Sequence, residues 1–111
     1  MIKKAIAYLF GNNIIGTVKL TDEESCVLIE ADIKGSVETG YKISINDGAE
    51  EYNLIMFPPP CHNGVKISFY IDYFTFFDLC GKWLYIKSCD DIVLAEGSIM
   101  RVIYGKRYYS Q

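Results

Sequence analysis

Histidine is almost missing from this chain: His62 is the only one among 111 residues. One imidazole cannot build a two-metal, multi-histidine centre, since nitrogen-held transition metals take roughly three or four ligands each. His62 follows Cys61 directly, and neighbouring side chains on an extended chain diverge, so this pair chelates nothing without a turn. The four cysteines, Cys26, Cys61, Cys80 and Cys89, contain no Cys-x-x-Cys spacing; without secretory context they read as thiols and not as a disulfide framework. No cofactor is expected. A positive excess is also missing. Net charge is −3, which gives no electrostatic case for nucleic acid as a partner. The basic and aromatic run 105–111, near Arg101, reads as a C-terminal tail. No apolar run approaches the roughly 18 residues that a membrane-spanning helix needs, so no membrane association is expected. Met1-Ile2-Lys3-Lys4 starts like a signal peptide, but the apolar run 5–10 is too short for its hydrophobic region. The expectation is a soluble protein, not secreted by a cleaved signal. Residues 1–111 are expected to form one domain.

A helical period is missing too, and what is present is strand-like almost throughout. Residues 3–10 and 14–20 flank a Gly11-Asn12-Asn13 turn, a hairpin signal. After the polar turn 21–25, residues 26–34 alternate, with Val27, Ile29, Ala31 and Ile33 on one face. Residues 52–57 add a short strand, and Pro58-Pro59-Pro60 then forces an extended segment that cannot sit inside a sheet. Beyond the Asn63-Gly64 turn, Val65, Ile67, Phe69, Ile71 and Tyr73 alternate with Lys66, Ser68, Tyr70 and Asp72. The aromatic run 74–79 is expected to cross over the core and plug one end, with Phe69, Phe74, Phe76 and Phe77 filling it. Strand 82–89 puts Leu84 and Ile86 inward and Trp83, Tyr85 and Lys87 opposite; residues 92–94 and 98–104 flank Ala95-Glu96-Gly97 as two last strands. Some seven or eight short strands with Gly, Asn and Asp turns predict an all-β antiparallel sandwich or flattened barrel.

The segment 40–48 is the most informative. Tyr41, Ile43 and Ile45 share one face, and Lys42, Ser44 and Asn46 share the other, with glycines at both ends. None of the three polar side chains is a strong transition-metal ligand.

Three segments in this order resemble Cu/Zn superoxide dismutase: Gly16-Thr17-Val18-Lys19-Leu20 with a following strand ending in Ile33-Lys34-Gly35; the 40–48 strand; and Gly81-Lys82-Trp83-Leu84-Tyr85-Ile86-Lys87 with Leu94-Ala95-Glu96-Gly97-Ser98-Ile99. The resemblance covers most of residues 3–105 and implies a Greek-key, eight-stranded barrel with shortened metal-binding loops. It places Ser44 and Asn46 where two copper histidines stand in the family, and Lys87 where the last one stands. It places Val93 at the substrate-guiding arginine and Glu96 at a disulfide cysteine. A hydroxyl, a carboxamide and an ammonium do not replace neutral imidazoles on copper, and a protonated Lys87 repels the cation. Copper-dependent dismutation is therefore not expected.

The chain is most similar in character to the poxvirus superoxide dismutase-like proteins that lack copper ligands. That likeness implies a non-enzymatic role, in the host cell cytoplasm or the virion. The implied partners are the host's copper chaperone, a host dismutase subunit, or a second copy of the chain. A purely structural virion or scaffold protein that reuses a stable barrel is the alternative. An unrelated enzyme using Cys61 with His62, or Lys87 with Asp90, lacks a nucleophile, base and orienting group at a telling spacing. Trp83, Tyr85, Tyr104, Tyr108 and Tyr109 are the candidate contact residues, because aromatics are enriched in interface hot spots.

Overall fold

The computed structural model of the chain describes residues 2–35, 40–57 and 64–102. Eight strands carry the fold: β1 (Lys4–Phe10), β2 (Ile15–Asp22), β3 (Val27–Lys34), β4 (Tyr41–Asn46), β5 (Glu51–Phe57), β6 (Val65–Ile71), β7 (Trp83–Ser88) and β8 (Val93–Val102). One short helix, α1 (Phe76–Leu79), lies between β6 and β7. The strands form a single sheet in the order β5-β4-β7-β8-β1-β2-β3-β6, antiparallel at every pairing. This sheet curls into a nearly closed barrel.

The alternation in the sequence becomes the inside and outside of that barrel. Val27, Ile29, Ala31 and Ile33 are buried, as are Tyr41, Ile43 and Ile45 on β4 and Leu84 and Ile86 on β7. Ala5, Ala7 and Leu9 complete the core from β1. Inward-facing apolar side chains from strands on both sides thus meet in one cluster, and their removal from water is the main stabilising term.

Two details differ from the sequence reading. The last strand is one continuous element of ten residues, not two strands broken at Ala95-Glu96-Gly97. A glycine in a strand usually marks a turn, a bulge or a close backbone approach, and here it is the approach. A Cβ on Gly97 would lie 1.9 Å from the carbonyl oxygen of Tyr8 on β1. The register shift that a turn would have absorbed appears instead as an irregularity between Ile86 and Lys87 on β7.

The aromatic run 74–79 does contribute to the core, but unevenly. Thr75 caps α1 by accepting a hydrogen bond from the Asp78 N–H at 3.1 Å. Phe76 and Leu79 are buried, whereas Phe77 is 54% exposed and so does not fill the core. Phe69 and Phe74 pack only partly against it. The Phe77 ring instead carries two cations, Lys3 Nζ at 4.4 Å and the Arg101 guanidinium at 5.4 Å from its centroid.

Candidate functional site

The outer face of β5-β4-β7-β8 collects the residues that the sequence singled out. Neighbours pair in register across it. Lys42 lies opposite Lys87, Ser44 opposite Tyr85, and Asn46 opposite Trp83. On the far side of β4, Ser44 faces Asn53 and Asn46 faces Glu51. On the far side of β7, Tyr85 faces Glu96 and Lys87 faces Val93. Ser44, Asn46, Lys87, Val93 and Glu96 therefore share one sheet face with Trp83 and Tyr85. Trp83 is 46% exposed and Tyr85 is half-buried. Tyr104, Tyr108, Tyr109, Cys61 and His62 lie outside the described residues.

Each of the three positions compared with copper histidines has a partner within the chain. Ser44, fully buried, donates its hydroxyl hydrogen to Asn53 Oδ1 at 2.8 Å. Asn46 Oδ1 accepts from the Gly48 N–H at 2.6 Å, an Asx-type turn that closes β4. Lys87 pairs with the Glu51 carboxylate. Lys87 stands beside Lys42 and Glu51 stands beside Asn46, so the line between them crosses β4 over Ser44. The ammonium also lies 5.4 Å from the Tyr85 ring centroid. A buried serine on the outside of a sheet is thus explained: the long Lys87 side chain lies across it.

Lys42 and Lys87 are like charges in register, an arrangement that destabilises a sheet unless each is drawn to its own anion. They are drawn apart. Lys42 pairs with Asp91, which sits in the turn after β7 with a left-handed φ of 64°. That turn is tied by the Ser88 hydroxyl oxygen, which accepts from the N–H groups of Asp90 and Ile92 at 3.2 and 3.1 Å. The hydrogen bond between them holds the Lys42 pKa above its usual value and the Asp91 pKa below its own. Asp47 is also depressed, because its carboxylate accepts the backbone N–H groups of Glu50 and Ala49.

These shifts have a defined sign. A depressed carboxylate stabilises the fold above its unfolded pKa of about 3.9, and this is lost as pH falls through the lower folded value. A raised lysine stabilises below its unfolded pKa of about 10.4, and this is lost as pH rises through the higher folded value. Through these groups the melting temperature should fall below about pH 4 and again above about pH 10. In Asp91→Asn both falls should shrink, with the acid fall kept in part by Asp47. Unchanged falls in thermal melts of this variant would show that the Lys42–Asp91 pair contributes nothing to folding.

Sequence reasoning missed Glu51, Asn53 and Asp91. Their only local signal was polarity within a strand or turn, and the pairing that gives them a role is non-local. As a metal site, the donor set does not fit. Coordination at these positions would have to break the Ser44–Asn53 bond, the Asn46 turn and the Lys87–Glu51 pair, and would set a cation against an ammonium. Among the described residues, no three His, Cys, Asp or Glu side chains converge on a common point. No protein-family model matches the chain, and no curated protein is significantly similar to it in sequence.

Proposed function

We propose that this chain is a catalytically inert relative of Cu/Zn superoxide dismutase that acts through protein contact. The observation that carries the reading is the Lys87 ammonium, laid over Ser44 and paired with Glu51. The three positions that the resemblance assigns to copper histidines meet on one face, and a protein cation lies there. The strand order also supports the relationship. β7-β4-β5 run side by side at one end of the sheet and β6 lies at the other, the succession that a Greek-key barrel left open between β5 and β6 would give. The same face offers Trp83 and Tyr85 as contact residues beside it, suited to a partner that recognises the barrel surface and not its metal. On this reading the partner is a host dismutase subunit or the copper chaperone that docks on such a subunit, and the setting is the cytoplasm of an infected cell or the virion.

The test is a mixing experiment. The chain is combined with Cu/Zn superoxide dismutase subunits and, separately, with their copper chaperone, and native mass is read at micromolar concentrations. A heterocomplex with one of them is expected, weakened by Trp83→Ala with Tyr85→Ala. Absence of association with both overturns the contact role. Stoichiometric copper retained after passage over a chelating resin overturns the inert reading.

A further inference from the structure

Among the described residues β6 pairs with β3 alone, and the sheet ends there, so none of them adds a strand to its other edge. Natural sheets usually protect such an edge with proline, a bulge or several charges. The seven residues Val65-Lys66-Ile67-Ser68-Phe69-Tyr70-Ile71 hold no proline and one charge, and their register against β3 is unbroken. The core side of this strand is also incompletely covered. Val65, Ile67 and Phe69 are half-buried, although Ile29, Ala31 and Ile33, their partners on β3, are buried. On the outer face Tyr70 is exposed.

We propose that β6 pairs antiparallel with β6 of a second copy of the chain, about a twofold axis through Ser68. Ser68 is the midpoint of Val65–Ile71, so this register pairs the whole strand. The sequence complements itself there. Ser68 meets Ser68, Ile67 meets Phe69, Val65 meets Ile71, and Lys66 meets Tyr70 of the second copy. On the core side, β-branched residues face an aromatic or one another and cover the half-buried side chains. On the outer side each ammonium lies beside a tyrosine ring and not beside another ammonium. A slip by one residue turns the apolar set to the outer face, which disfavours it strongly. This interface uses none of the outer face of β4 and β7, so it stands or falls separately from the dismutase-like reading.

Cysteine crosslinking combined with native mass tests it. At about 100 µM, a concentration that reveals even weak pairing, the native mass should be twice the 12.6 kDa of the chain. Ser68 is exposed, and Ser68→Cys leaves the core untouched. Cross-strand Cβ atoms lie about 4.5–5.5 Å apart, so mild oxidation should give a dimer joined at position 68, located by peptide mapping. Lys66→Cys should not link to itself but should link to Tyr70→Cys when the two proteins are mixed. Tyr70→Lys sets ammonium groups opposite one another twice per dimer and should weaken association about tenfold. A monomer throughout this range overturns the proposal, as does a dimer in which neither the 68–68 nor the 66–70 link forms.

Discussion

Replacing Gly97 with valine should cost about 3 kcal/mol or more, a loss large enough to leave a small domain close to unfolding. The added Cβ would lie 1.9 Å from the Tyr8 carbonyl oxygen and 2.8 Å from its carbon, both backbone atoms of β1 that cannot swing aside as a side chain does. Either the β1–β8 pairing opens or the two strands shift, and both outcomes disturb Leu9, Ala95 and Ile99 in the core. Thermal melts should show a fall of roughly 10 °C or more for a chain of this size. Gly48→Ala is the control. Gly48 has a left-handed φ of 96°, but nothing lies within 4 Å of its would-be Cβ. It should lose only about 1 kcal/mol, from backbone strain alone. Equal losses in the two variants would mean that strand crowding is not what demands glycine at 97.

Phe76→Ala should cost about 3–5 kcal/mol, whereas Phe77→Ala should cost less than about 1 kcal/mol. The two residues are adjacent and alike in chemistry, and differ only in where α1 points them. Phe76 is 2% exposed and closes the core with Leu79; Phe77 is 54% exposed. Truncating Phe76 leaves a cavity in the core cluster beside a helix end that the Thr75 cap holds in place. Truncating Phe77 removes surface contacts with Lys3 and Arg101, whose exposed cation–π contribution is small, about 0.5–1 kcal/mol. Chemical denaturation of both variants separates them. Comparable losses would place Phe77, and not Phe76 alone, among the residues that hold the barrel closed.

The same pair shows where sequence reading stops. Alternation along a strand is a local consequence of extended geometry, so the buried faces of β3, β4 and β7 were legible residue by residue. In the aromatic run 74–79 no period of two survives, and a single turn of helix sorts its side chains into the core or out of it. Gly97 was legible as a special position but not as a close approach, because β1, which crowds it, comes from the far end of the chain. Polarity marked Ser44 for the outer face, yet Ser44 is fully buried there, under a lysine 43 positions later in sequence (87 − 44).

By itself the sequence determined that this is an all-β chain, which side of each regular strand faces the core, and that one histidine cannot serve a multi-imidazole centre. Only the tertiary structure decided that β4 lies between β5 and β7, and hence that Lys87 reaches Glu51 and Lys42 reaches Asp91. The physical reason is the range of the two effects. Side-chain alternation acts between neighbours, whereas the Lys87–Glu51 pair joins residues 36 positions apart and exists only after the strands between them have found their order.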